Sequence, residues 1–243
     1  MELYDSLIRR SMALGGAAAP RRWSYDPARA WPDTGEFELV MLRDAACELG
    51  GGSRSAVNYT CVTTTPGLVD ADEILLWGPD LRELKGDTDY ARITLLEVDP
   101  GALAQGEDTE QSFRAIQELD FIKYKIFPRG YMIRTSSESS REQVRLSKAA
   151  LREGISFERV GAAFIRRYRQ DPKVRHVRML FLTAPDADHT GAAKCARSVR
   201  DITMSLTKIL EGMPTNCGSC QLKPICDEVE GLKELHFGKK GRQ

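Results

Sequence analysis

The stretch SREQVRLSKAALREGISFERVGAAFIRRYRQDPKVRHVRMLFLTA, Ser140 to Ala184, decides the fold class. Its first part, SREQVRLSKAALREG, opens on serine and closes on Gly154, residue types that cap helices, and it reads as one helix. The second part, SFERVGAAFIRRYRQDP, puts Phe157, Val160, Phe164, Ile165 and Tyr168 on one helical face, with Pro172 just past the end. The third part, HVRMLFLTA, carries the uninterrupted apolar run MLFL and reads as a central strand. Helices and strands mix here without strict βαβ alternation. That pattern predicts an α+β domain, a mixed sheet packed by several helices.

Downstream, a helix is expected from about Asp188 to Gly212, with Val199, Ile202, Leu206, Ile209 and Leu210 on one face and Pro214 as its stop. Upstream, EDTEQSFRAIQELDFI has acidic residues in its first turn and fits a helix. EILLWG, RITLLEVDP and EFELVMLRD (Glu36 to Asp44) read as strands. LGGGSRSAVNYT reads as a loop, and FPRGYMIRTSSESS as an irregular serine-rich link. The expected organisation is a helix and extended arm over 1–35, an α+β domain over 36–212, and a cysteine segment with a basic tail over 213–243.

The 243 residues carry a formal net charge of zero, so no global field draws the chain to nucleic acid or to a membrane. No apolar run approaches the roughly 18 residues of a membrane span. The N-terminus lacks the pattern of a signal peptide, and a cytoplasmic location is expected. Charge is nevertheless segregated. Asp70 to Asp120 holds 14 acidic and 4 basic side chains, whereas Arg141 to Arg178 holds 11 basic and 4 acidic. The second segment is either a solvated face or a surface for a phosphorylated ligand or an acidic partner.

The strongest chemical signal is PTNCGSCQLKPICDEVEG, Pro214 to Gly231. Cys217, Cys220 and Cys226 follow C-x2-C-x5-C. Soft thiolates at this spacing suit a [4Fe–4S] cluster, with zinc as the alternative. Both want four ligands. Cys195 is the first in-chain candidate for the fourth place, and His236, the sequence-distant Cys47 and Cys61, a partner chain or an open position are the others.

Several pieces taken in order resemble the β subunit of the CO dehydrogenase/acetyl-CoA synthase complex, the CO-methylating acetyl-CoA synthase. They are FELVMLRD, ILLWGPDLREL, SFRAIQELDFIKY and, above all, Val144 to Thr183. The resemblance is to the family's middle domain and runs over roughly residues 30–230. It implies a cluster loop where Cys217 and Cys220 lie, with Cys226 standing for a third ligand at shorter spacing. The family's fourth cubane cysteine and its Cys-Gly-Cys nickel motif have no counterpart here, so these residues do not by themselves supply a complete acetyl-CoA synthase site. The resemblance also implies coenzyme A binding by arginines. The candidates are Arg134, Arg145, Arg166, Arg167 and Arg169, with Arg141 nearby, and Arg145 stands in the matching RLSK stretch. Implied partners are proteins of a CO dehydrogenase or corrinoid/methyltransferase system in anaerobic one-carbon metabolism. Whether the chain is itself an enzyme is left open. If it is one, an acyltransferase subunit is the expected type. The remaining constellations are read blandly. Asp186, Asp188 and His189 look like a helix cap rather than a metal site, and His176 like a surface residue.

Overall fold

The computed structural model describes residues 3–51, 54–103, 109–136 and 140–210. In chain order the elements are α1 (Asp5–Met12), β1 (Arg21–Ser24), β2 (Ala45–Leu49), β3 (Ala56–Thr63), β4 (Glu73–Trp77), β5 (Tyr90–Val98), α2 (Pro100–Leu103), α3 (Thr109–Phe121), β6 (Tyr131–Ser136), β7 (Arg141–Ser147), α4 (Lys148–Glu153), α5 (Phe157–Tyr168), β8 (Val174–Leu182) and α6 (His189–Leu210). They form two sheets. The larger has the order β1-β4-β8-β5-β3 and the smaller β2-β7-β6. The expected α+β class and mixed sheet are therefore present: β3–β5 and β4–β8 pair parallel, whereas β5–β8 and β1–β4 pair antiparallel.

The strand predicted as central lies third of five in its sheet, and every residue of β8 from Val177 onward is buried. All nine residues of β5 are buried as well. Both faces of this sheet are covered. On one face α5 lays Phe157 against Phe181, with ring centroids 4.6 Å apart, and Gly161 brings the helix down onto Ile74 and Phe181. On the other, Ser11 of α1 meets Tyr59 of β3 hydroxyl to hydroxyl at 2.8 Å, and α6 packs over the same strand.

Four expectations are corrected, all on or beside the small sheet. SREQVRLSKAALREG is not one helix. Arg141 to Ser147 is strand β7, because Glu142, Val144 and Leu146 alternate into the core, a period of two rather than 3.6. The helix starts only at Lys148, where the Ser147 hydroxyl accepts the Ala150 N–H, and it stops at Gly154 in the left-handed region with φ 93°. The serine-rich link contains strand β6, paired antiparallel with β7. The expected loop at 49–60 runs into β3, whose Asn58, Thr60 and Thr63 are polar yet buried. Glu36 to Asp44 makes no ladder. It is an extended strap ending in a short 3-10 turn at Leu42–Asp44, and the strand of this region follows at β2.

The small sheet is tied to the large one by a buried ion pair. Arg92 of β5 donates from Nε and Nη2 to both carboxylate oxygens of Glu142 of β7, at 2.8 and 2.5 Å. Side-chain exposures are 1% and 0%. The guanidinium also lies 4.2 Å from the centroid of the Phe164 ring. Burial pulls the Arg92 pKa down, and Glu142 more than offsets this, so the group stays charged. Beside the pair, the Tyr90 and Tyr131 hydroxyls meet at 3.0 Å.

Candidate functional site

The alternation of β6 and β7 sorts the candidate arginines. Met132, Arg134 and Ser136 stand opposite Arg145, Gln143 and Arg141 respectively, so these six share the outer face of the small sheet. Arg134 and Arg141 are exposed there. They border a groove of about 640 Å³, together with Phe37, Ile133, Thr135, Ser136 and Gln143. Arg145 is already engaged. Its Nε donates to Glu48 at 2.6 Å and its Nη1 to the Val40 carbonyl at 3.0 Å, which pins the strap to the sheet.

Arg166, Arg167 and Arg169 lie elsewhere, at the C-terminal end of α5. Arg167 donates to the Gln170 side chain at 2.6 Å. Arg169 faces Asp72 at 3.5 Å and donates to the carbonyls of Val174, at 2.9 Å, and Arg175. The five candidate arginines thus form two clusters on different elements. Arg134, joined by Arg141, borders the groove beside the small sheet.

A feature that sequence reading missed is a cavity of about 460 Å³ between α3, the β6–β7 hairpin and α6, lined in part by Tyr59, Lys123, Tyr124, Thr135, Arg200 and Met204. Lys123 is only 8% exposed and donates to Asp120 at 2.8 Å, an i, i+3 pair on successive turns. Burial raises the Tyr124 phenol to about 12. Thr135 lines both the cavity and the arginine groove, so the two hollows adjoin. The spacing of Asp120 and Lys123 was the one signal available in sequence. The cavity itself depends on α6 crossing from the far end of the chain.

Cys195 lies on α6 and is wholly buried, beside the Tyr59 hydroxyl. Burial raises its thiol pKa, and Cys61, also fully buried, behaves in the same way. A metal ligand is a thiolate whose sulfur the ion can reach. Cys195 would have to leave its place between α6 and β3 to become one. Cys217, Cys220, Cys226 and His236 lie outside the described residues. Among the described residues no group of three His, Cys, Asp or Glu side chains is placed to hold a metal ion. The helix-cap reading of the Asp186 cluster is supported: Asp188 accepts the Gly191 N–H at 2.7 Å at the start of α6, and Asp186 accepts the Ala17 N–H at 3.1 Å, tying down the N-terminal arm. His189 contacts the Ala184 carbonyl at 3.0 Å. His176 is half-buried, opposite Glu97 in the β5–β8 ladder.

The family model described as CO dehydrogenase/acetyl-CoA synthase complex beta subunit matches residues 34–187, well over half of the chain. The chain belongs to that family. The beta-subunit match spans β2 to β8 and so contains both sheets apart from β1. It includes every candidate arginine and ends before Cys195 and the loop cysteines. Residues 1–33, ahead of the match, supply α1 and the edge strand β1, which closes the open side of β4. No individually curated protein matches the chain. Among the described residues, no helix is long and apolar enough to cross a membrane.

Proposed function

We propose that this chain is an iron–sulfur subunit of acetyl-CoA synthase type, working with protein partners in anaerobic CO, corrinoid or one-carbon metabolism in the cytoplasm. Membership of the beta-subunit family carries the reading. The C-x2-C-x5-C segment, which begins seven residues after the described end of α6, supports its metal-binding half. Cys217, Cys220 and Cys226 would hold a [4Fe–4S] cluster, whose chemistry is one-electron transfer, or a structural zinc ion. Cys195 stays the in-chain candidate for the fourth ligand. Its enclosure favours a ligand from a partner chain or an open position instead. Metal and sulfide content of anaerobically purified protein, with a paramagnetic resonance spectrum after reduction, tests this reading. About four irons and four sulfides per chain are expected. One zinc and no sulfide would reduce the loop to a staple, and a metal-free folded protein would defeat the reading.

A second reading has its own observation. Arg134 and Arg141 flank a groove that adjoins the Lys123 cavity. Guanidinium groups bind phosphates bidentately, so this face suits coenzyme A in an acyl-transfer subunit. Titration calorimetry with coenzyme A is expected to give heat that the R134A/R141A variant loses. Absence of heat with the unaltered protein would remove this reading and leave the first untouched.

A further inference from the structure

Six large apolar side chains are exposed among the described residues. Four belong to the strap. The other two, Phe121 and Met204, come from α3 and α6, and both line the cavity of about 460 Å³ that holds Lys123. They are 59% and 42% exposed, whereas Lys123 is 8% exposed, so this hollow is apolar toward solvent and charged within. Its size and make-up are those of a small-molecule site. Ser140 also lines it and is the one non-glycine residue with positive φ, 52°, among the described residues. Its carbonyl accepts the Asn58 N–H at 2.8 Å, which fixes the β6–β7 hairpin against β3 in that conformation. Backbone strain of this kind collects at ligand sites.

The charges select the ligand. Lys123 donates to Asp120 at 2.8 Å, and Arg200 lies 3.4 Å from Asp201. Each cation of the lining thus has a carboxylate against it. A carboxylate or phosphate entering here would meet Asp120 as well as Lys123, and its charge would be buried without a cation of its own. The Lys123 ammonium has three protons, and Asp120 Oδ1 accepts one of them. The Tyr124 ring centre lies 5.2 Å from Nζ and offers it a π face, not a lone pair. An ammonium so enclosed calls for a further acceptor. The ion pair therefore presents a donor and an acceptor side by side. A carboxamide presents the complement, its oxygen for the ammonium and its N–H for the carboxylate. We propose that this cavity binds a small uncharged carboxamide with an apolar body, the amide on Lys123 and Asp120 and the body against Phe121 and Met204. The inference does not depend on the metal or coenzyme A readings.

Saturation-transfer NMR on the full chain, anaerobic and reduced, tests it with two probes of one shape, benzamide and benzoate. Benzamide is expected to bind with a dissociation constant of about 1–10 mM, ordinary for so small a molecule. Benzoate should bind about fivefold more weakly or worse, because its charge enters a site whose cations are already paired. Phe121→Ala should weaken benzamide about fivefold with unchanged circular dichroism, since that ring is exposed on the rim. Lys123→Met should weaken it about tenfold, through the lost charged hydrogen bond. If Lys123→Met does not fold, Phe121→Ala and the benzoate comparison decide. Four results would each overturn the proposal. They are no benzamide binding up to about 50 mM, benzoate as tight as benzamide, an affinity unmoved by Phe121→Ala, or one unmoved by a folded Lys123→Met. The first would leave the cavity to water.

Discussion

Strands β5 and β8 of the large sheet and strands β6 and β7 of the small one reach burial by different routes. The first pair is enclosed by helices on both faces, and it holds the apolar run MLFL beside the buried charges Arg92, Glu97 and Arg178. The second pair has one enclosed face, and that face carries Glu142, Tyr131 and Thr135 among its residues. The large sheet coheres mainly by apolar burial, with one nearly buried ion pair, Arg178 of β8 to Glu73 of β4, within it. The small sheet docks through a buried ion pair and a tyrosine pair. Apolar burial is graded and tolerant of substitution, whereas a buried charge is tolerable only with its partner in place.

The sharpest way to break this comparison is Glu142→Ala. Removing one partner leaves Arg92 charged and enclosed, and the cost is expected to be about 3–5 kcal/mol in urea unfolding. Replacing both, as Arg92→Met with Glu142→Leu, should recover most of that loss. Equal losses in the single and double variants would show that the pair is not what holds the small sheet. A smaller effect is expected where α5 meets the large sheet. A Cβ on Gly161 would come within 2.7 Å of Ile74 and 3.2 Å of Phe181, so Gly161→Leu should cost about 1–3 kcal/mol by overpacking. If Gly161→Leu costs more than Glu142→Ala, the contrast between the two sheets is reversed.

The smallest expected effect is a dependence on alkaline pH. Cys47 of β2 has its thiol raised from the ordinary 9.0 to about 11, by burial first and then by the negative charge of Asp87 and Glu48. The fold prefers the neutral thiol. This contribution is complete below pH 9 and disappears as pH rises through about 11, because the unfolded chain ionises first. The urea midpoint should therefore fall over that window, and Cys47→Ala should make the fall shallower. Tyr124, raised to about 12, contributes in the same direction and is unaffected by that change. An identical slope in the variant would show that Cys47 is not buried as described.

The large sheet was legible because its strands advertise themselves. MLFL and ILLW are continuous apolar runs, and a strand covered on both faces needs no alternation. The small sheet was not legible. In β7 the inward positions are Glu142, Val144 and Leu146, so its first inward residue is charged. That charge hid the period of two, and the helix-forming residues after Ser147 drew the reading toward a single long helix. In β6, Arg134, Thr135 and Ser136 look like a link, yet they pair with Gln143, Glu142 and Arg141. The strap failed in the opposite sense. Its alternation is strand-like, but Phe37, Leu39 and Met41 face outward, and pattern alone does not say which side the core is on.

The candidate site divides in the same way. The basic segment was visible as charge, and the family resemblance was carried by residues that the family match also covers. That Arg134 and Arg141 share a groove while Arg166, Arg167 and Arg169 sit at the far end of α5 required the strand register.

By itself, the sequence determined the α+β class, the central strand, the helices α3, α5 and α6, the family and the cysteine spacing. These follow from local periodicity, capping and motif order, all written within a few neighbouring residues. Only the tertiary structure decided that Glu142 meets Arg92 fifty residues away, that Cys195 is closed in against Tyr59, and that the strap turns its apolar side outward. Each of these depends on which distant surface a side chain faces. A polar residue becomes a core residue only when a remote partner satisfies it.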